Sequence, residues 1–522
     1  MAGGIPADLR ARVEAWIAGD PGPGDRAELA DLLAAGDATE LADRFAGRLE
    51  FGTAALASWL GPGAARAGVV IGCDARYRSD EFADETARVL TGAGFAVHLL
   101  PRPGPTPLLA FSVRKLSAAA GVMITASHNP AADNGYKLYL SDGAQIIPPA
   151  DAEIEAAIGA LGPLSSIPLG PLDGPLVTRH GGELAEAYLA AVTAAAPRPA
   201  GAPLRVVYTP LHGVAGPLML AAIERAGFPA PHVVAAQAEP DPLFPTVAFP
   251  NPEEPGALDL ALAQARELRA DLVLASDPDG DRLAVAVPDR EWRRLSGDQL
   301  GALIGSYLLD LTAGQRLVVT TIVSSTLLSK IAAAAGADYA ETLTGFKWIV
   351  RAPGRGPFLF GYEEALGYAV GDVVRDKDGI GAALAVLGLA ARERLLDVYD
   401  RLEAAHGVHL TEQLTLPTAA PGELMAALRA DPPASLAGQP VMKTEDLAGG
   451  GSLPPADVLV YRLDGARVVI RPSGTEPKLK VYFEVVRPPG GDLAGQRRAA
   501  AARASELRAA VTDLLGAVPS PS

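Results

Sequence analysis

Residues 68–125 read GVVIGCDARYRSDEFADETARVLTGAGFAVHLLPRPGPTPLLAFSVRKLSAAAGVMIT, and this stretch decides the fold. Short β-branched runs, GVVIG, FAVHLL and GVMIT, alternate with segments of helical character, the first from Asp80 to Ala93. Neighbouring parallel strands need a crossover between them, usually a helix, so the alternation predicts a parallel sheet with crossover helices. The same texture returns at LRVVYTP with a helix from Val214, at DLVLASD, at RLVVTTIV with a helix over Leu327 to Ala335, and at PFLFGYEE. Three α/β units are therefore expected. The C-terminal part, with strands at DVLVYRL, ARVVIRP and LKVYFEVV and a helix from Ala494, alternates less regularly and reads as a small α+β domain. Upstream, Leu9, Val13 and Trp16, then Leu29, Leu32 and Leu33, recur at helical spacing and predict a helical N-terminal appendage. Proline-rich breaks at Ala196 to Pro203 and Leu416 to Gly422, with the turn at Leu311 to Gln315, divide the chain into 1–50, 51–198, 199–312, 313–415 and 416–522.

A chain of 522 residues, 49% of them hydrophobic, has ample material for several cores. Its 45 basic residues against 61 acidic ones leave a net charge of −16, which repels phosphate backbones and anionic lipid. Neither nucleic acid nor a membrane is an expected partner. Cys73 stands alone, so neither an internal disulfide nor a cysteine-based zinc site is expected. The longest apolar stretch, Gly379 to Ala391, is about half the roughly 20 residues of a membrane helix. The first residues carry acidic groups and no long apolar core, unlike a secretory signal, so a soluble cytoplasmic protein is expected.

In α/β folds ligands gather at the carboxyl ends of strands, and four loops stand out there. Thr125-Ala126-Ser127-His128-Asn129-Pro130 crowds a hydroxyl, an imidazole and an amide together, and Pro130 keeps an ordinary helix start from absorbing them. Lys137 follows the turn just downstream. Asp277-Pro278-Asp279-Gly280-Asp281-Arg282 sets three carboxylates at alternate positions, which repel unless a cation lies between them; hard oxygen donors favour magnesium over zinc. Gly361-Tyr362-Glu363-Glu364-Ala365-Leu366-Gly367-Tyr368 offers carboxylates that suit a sugar diol, although an exposed helix start reads the same way. Arg471-Pro472-Ser473-Gly474-Thr475-Glu476-Pro477-Lys478 combines a guanidinium, two hydroxyls and a glycine amide into a phosphate cradle, with a charged hairpin turn as the plainer reading. Of only eight lysines, Lys137, Lys347, Lys377 and Lys478 lie in or beside such glycine-containing loops.

Together, TASHNP, DPDGDR and RPSGTEPK in this order closely resemble the α-D-phosphohexomutase family of phosphoglucomutases and phosphomannomutases, over nearly the whole chain from FGTA at Phe51. The resemblance implies three related α/β domains with mixed, mainly parallel sheets and a C-terminal α+β lid domain. It implies a mutase that moves phosphate between C1 and C6 of glucose or mannose phosphate through a phosphoserine and a bisphosphate intermediate. By the same resemblance Ser127 is the phosphoserine and, with Asp277, Asp279 and Asp281, a ligand of Mg2+. Lys137 and His128 lie near the transferred proton, and Arg282 near the phosphoserine. Lys347, Glu363 and Glu364 meet the sugar, and Arg471, Ser473, Gly474 and Thr475 hold the phosphate that is not reacting. A sugar bisphosphate, glucose 1,6-bisphosphate, is the implied activator, a small phosphosugar the implied partner, and a monomer or homodimer the implied assembly.

Two departures qualify the resemblance. Family members follow FGTA with Gly-Leu-Arg-Gly, further chain and a helix; here Ala54 runs through Ala55 to Ala67 almost directly into GVVIG. That comparison predicts a missing crossover helix, a sheet face left open or filled by the N-terminal helices, a missing arginine and impaired activity. The sugar loop has Ala365 where many hexose mutases carry a hydroxyl, as in phosphopentomutase-like members. The alternatives are thus a phosphopentomutase acting on ribose or deoxyribose phosphate, and a non-catalytic sugar-phosphate binding protein. A phosphatase of the haloacid dehalogenase type would use an aspartate nucleophile, but would leave TASHNP and RPSGTEPK without a role.

Overall fold

The computed structural model describes residues 5–19, 23–45, 53–197, 201–418, 420–473 and 478–517. The chain divides into two compact units, Met1–Ala126 with Ala132–Leu184, and Ser127–Ala131 with Ala185–Ser522.

The first unit is built on a five-stranded sheet ordered Tyr136–Leu140, Ala120–Ile124, Val69–Cys73, Val97–Leu99 and Val177–Arg179. The inner strands run parallel and Tyr136–Leu140 pairs antiparallel at one edge. Val69–Cys73 and Ala120–Ile124 are buried along their whole length, as a sheet covered by helices on both faces requires. Despite the short connection, a helix does precede the first strand, Thr53–Leu60. Its Ala55, Leu56 and Ala57 join Val69, Ile71, Val122 and Ile154 in one core. The face expected to lie open is therefore covered from within the unit. Among the described residues the N-terminal helices do not join that core: Ala7–Gly19, Pro23–Ala35 and Ala38–Arg44 close one of their own around Leu9, Val13, Leu29 and Leu41.

Among the described residues the second unit holds three larger sheets. One is ordered Trp292–Arg294, Leu283–Pro288, Leu272–Ser276, Val206–Thr209 and His232–Val233, parallel in its last three strands and antiparallel beyond them. The next is ordered Asp338–Thr342, Leu317–Thr321, Phe358–Glu363 and Gly367–Val370, again parallel with one antiparallel edge strand. The recurrence of this pattern in three sheets is what the repeated strand-and-helix texture encodes.

The turn at 311–315 ends a helix of the third sheet and does not separate domains. Helix Gly297–Leu311 lies on Phe358–Glu363 so closely that a Cβ on Gly301 would fall 2.5 Å from the Tyr362 ring. The apolar stretch near residue 380 is the helix Gly379–Ala390, buried from Gly379 to Leu389, which explains why it is apolar all round.

The last sheet is wholly antiparallel, ordered Val408–Pro417, Lys478–Arg487, Ala466–Pro472, Leu459–Leu463 and Lys443–Asp446. Val408–Pro417 pairs along its full length with Lys478–Arg487, so the break read at 415/416 falls inside a strand. Helix Leu493–Ala517 covers one face through Ala500, Ala504, Leu507 and Val511, at spacings of four and three.

A buried ionic cluster ties this sheet to the one before it. Glu484 accepts from the Thr326 amide at 2.6 Å and the Ser325 hydroxyl at 3.0 Å, and pairs with Arg467 at 2.8 Å and His409 at 3.2 Å. Arg467 also reaches Glu341 at 3.1 Å. Burial alone would raise the Glu484 carboxyl, but Arg467 and then His409 hold it down to about 2. A depressed folded value gives stability that is complete above the unfolded value of about 4.3 and lost as pH falls below it. Glu484→Gln leaves Arg467 buried with only Glu341 to balance it, and should cost about 3–5 kcal/mol, read as a lower melting temperature at neutral pH. The wild type and variant should converge toward pH 2; a gap that persists there would mean lost packing and not lost charge.

Candidate active site

Ser127 lies in the second unit, 8% exposed, with φ of 50°. Few side chains other than asparagine and aspartate adopt that left-handed conformation readily, and such strain collects at functional loops. Its hydroxyl donates to Asp277 Oδ2 at 2.7 Å and lies 3.1 Å from His128 Nδ1.

Asp277 follows the buried strand Leu272–Ser276. Gly280, at φ 72°, makes the turn, and its amide donates to the Asp277 carbonyl at 3.0 Å. The turn folds Asp277, Asp279 and Asp281 inward until all three are fully buried, each offering an oxygen within 4.8 Å of the others. Burial, then the neighbouring Asp279 and Asp281, push the Asp277 carboxyl well above the ordinary aspartate range. The Arg282 amide donates to Asp277 Oδ1 at 2.9 Å, while its guanidinium faces Glu253 at 3.7 Å. Lys377 places its ammonium 3.1 Å from Asp281.

The sugar-loop residues sit beside this group. Leu283 donates its amide to the Leu366 carbonyl at 3.1 Å, stitching the aspartate loop to the loop that carries Glu363 and Glu364. Glu363 Oε1 accepts from the Gly345 amide at 2.5 Å, which anchors the short helix Phe346–Ile349 and hence Lys347. Burial and then Glu363 push the Glu364 carboxyl up to about 8. Arg471 lies over the Tyr482 ring, 5.6 Å from its centre, and donates to its hydroxyl at 3.0 Å. Burial, then Arg471, lower the Lys480 ammonium, which also feels Glu364, Lys478 and Arg282. The phosphate-cradle strand, the sugar loop and the aspartate loop therefore converge. The Ser473 amide donates to the Lys478 carbonyl at 2.9 Å across the cradle, whose Gly474 and Thr475 lie outside the described residues. Lys137 lies on the edge strand of the first unit, opposite Met123.

Three participants escape the sequence reading. Lys377 carried only the hint of a lysine in a glycine-containing loop. Glu253 sits in a proline-rich segment with no strand before it. The loop Pro210-Leu211-His212-Gly213 follows the strand Val206–Thr209 and obeys the strand-end rule. Leu211 and His212 are both left-handed, and the Val214 amide donates to the Pro278 carbonyl at 2.8 Å, so this loop buttresses the aspartate turn.

Residues 39–162, 186–290 and 296–405 match the phosphoglucomutase/phosphomannomutase alpha/beta/alpha domains I, II and III in turn, and residues 423–490 match the C-terminal domain of the same family. The chain is 44% identical over 434 residues to a probable phosphomannomutase of Haemophilus influenzae, covering 80% of this chain and 87% of that protein. It is 35% identical over 551 residues to a probable phosphoribomutase of Schizosaccharomyces pombe, covering 91% and 93%. A crystal structure of a putative phosphomannomutase from Thermus thermophilus superposes with a TM-score of 0.68 at 25% identity, covering 89% and 93%.

Proposed function

The chain belongs to the phosphoglucomutase/phosphomannomutase family and is a phosphomutase, and from that premise we propose that it moves phosphate between C1 and C6 of glucose or mannose phosphate through a phosphoserine at Ser127. The observation that carries the reading is the Ser127 hydroxyl, 2.7 Å from a carboxylate of the buried aspartate trio. A serine hydroxyl is a weak nucleophile at neutral pH, and a neighbouring acceptor for its proton strengthens it.

The trio fits a hard divalent cation. Its donors are all oxygen, are closed off from water, and are near enough to share one ion, while Lys377 and Arg282 offset their mutual repulsion only in part. Mg2+ held by Asp277, Asp279 and Asp281 would supply neutralisation of charge on the phosphoryl oxygens. The chain's own residues do the rest. In the forward half-reaction the bond from phosphorus to Ser127 Oγ breaks as a bond to the sugar hydroxyl forms. The hydroxyl's proton passes to a basic group of the site and ends on Ser127. His128 Nδ1, 3.1 Å from Oγ, is placed to hold that proton. Glu363 and Glu364 orient the sugar hydroxyls, and Arg471 clamps the idle phosphate. The bisphosphate then turns over and returns its other phosphate to Ser127, so one clamp serves both orientations.

Arg471→Ala should lower kcat/KM roughly 30- to 1000-fold, about 2–4 kcal/mol, by removing a bidentate contact. Arg471→Lys should recover part of that loss, because the charge remains and the fork does not. No recovery with lysine would argue for damage to the Tyr482 contact instead.

A pentose phosphate is the second reading, favoured by Ala365 and by the phosphoribomutase relative matching along 91% of the chain. A coupled assay of glucose 1-phosphate to glucose 6-phosphate, run beside ribose 1-phosphate to ribose 5-phosphate, separates the two. Binding of both sugars without isomerisation of either would sink both. Among the described residues no helix is long and apolar enough to cross a membrane.

A further inference from the structure

On the edge of the first unit's sheet opposite to Tyr136–Leu140, two histidines meet. His98 is the middle residue of Val97–Leu99, paired with Thr178, and His180 follows the neighbouring strand, its amide donating to the Leu99 carbonyl at 2.9 Å. The parallel register thus sets both imidazoles side by side, ring centres 5.3 Å apart and planes inclined by 38°. His98 Nδ1 and His180 Nε2 are 3.2 Å apart. The second nitrogen of His180 lies 2.8 Å from Glu183 Oε1.

The protons can be counted. A carboxylate only accepts, so His180 carries its proton on Nδ1 and in its neutral form turns a bare Nε2 toward His98. Burial, then His180, hold His98 below the ordinary imidazole range. Two imidazole nitrogens bound to one tetrahedral zinc at about 2.0–2.1 Å lie roughly 3.3 Å apart, close to the observed spacing. A ligating histidine characteristically donates its other N–H to a carboxylate, as His180 does to Glu183.

We propose that His98 Nδ1 and His180 Nε2 form a binding site for a zinc-class divalent cation, oriented by Glu183 and distinct from the aspartate trio. Imidazole donors suit zinc where the all-oxygen trio suits magnesium, so the chain sorts the two metals by donor chemistry. With two protein ligands and a half-buried position, the site leaves its remaining coordination positions to water, and the ion exchanges freely.

The test titrates zinc chloride into the full chain by calorimetry, with Mg2+ in large excess to occupy the trio, and repeats the titration with cobalt(II) to read nitrogen ligation from its visible absorption. His98→Gln and His180→Gln should each abolish one zinc-binding event and the cobalt band. Glu183→Gln changes an exposed side chain, so it tests the site without threatening the fold. It should weaken zinc about 10- to 100-fold, the usual effect of losing a ligand's supporting carboxylate. Equal zinc affinity in the wild type, His98→Gln and Glu183→Gln would overturn the proposal and leave the pair as two rings sharing a proton.

Discussion

Ser127→Ala should lower mutase turnover roughly 10,000- to 1,000,000-fold, the scale on which covalent catalysts fail when the nucleophile goes. The loss should fall on kcat, because the residues expected to bind the sugar and its idle phosphate, Glu363, Glu364 and Arg471, are untouched. The variant should still fold, since Ser127 sits on a loop and alanine fills nearly the same volume. It should be slightly less stable without metal: Asp277 Oδ2 loses the hydroxyl that now donates to it at 2.7 Å, and a buried acceptor left unmet costs about 1–3 kcal/mol. Incubation with a sugar bisphosphate should add one phosphate to the wild type and none to the variant, read by intact mass. A variant that kept even a tenth of wild-type turnover, or still took up phosphate, would remove Ser127 from its role.

That the fold was legible, and the site only in part, follows from how each is encoded. The parallel sheets are written in local texture, because a buried parallel strand must be apolar on both faces; Val69–Cys73 and Leu272–Ser276 are continuous runs for that reason. The helix Thr53–Leu60 was not expected to suffice as cover, since its adequacy depends on the close approach of Ala55 and Ala57 to the sheet, which is a matter of packing. The turn at 311–315 looks like a boundary in one dimension. Only the contact of Gly301 with Tyr362, distant in sequence, shows that helix Gly297–Leu311 belongs with the strands that follow it. Residues that act from one loop, such as Asp277, Asp279 and Asp281, are visible as motifs. Those that act by meeting a partner across the fold are not: nothing near Lys377 announces Asp281, and nothing near Glu484 announces Thr326.

Asp279→Asn should separate the catalytic value of the aspartate trio from its structural cost. Without metal, three buried carboxylates face one another, and Lys377, 3.1 Å from Asp281, together with the Arg282 guanidinium offsets part of that charge. The Asp277 carboxyl is raised by burial and then by Asp279 and Asp281, so the folded chain binds a proton that the unfolded chain releases above about pH 4. Stability then falls as pH rises from that value toward the raised one, which is the opposite sign to the Glu484 cluster. In chelator the wild type should therefore melt at progressively lower temperature as pH rises above the ordinary aspartate range, and Mg2+ should flatten the slope by supplying further positive charge. An amide in place of the Asp279 carboxylate removes one source of repulsion, so the variant should melt higher than the wild type in chelator and gain less from Mg2+. Its turnover should nonetheless fall by several kcal/mol, roughly a thousandfold, as expected when a Lewis acid is poorly held. Stability and activity moving in opposite directions is the diagnostic result, since a residue kept for folding would lose both together. A variant that melts lower than the wild type in chelator, or full wild-type activity in excess chelator, would show that the trio is not built around a cation.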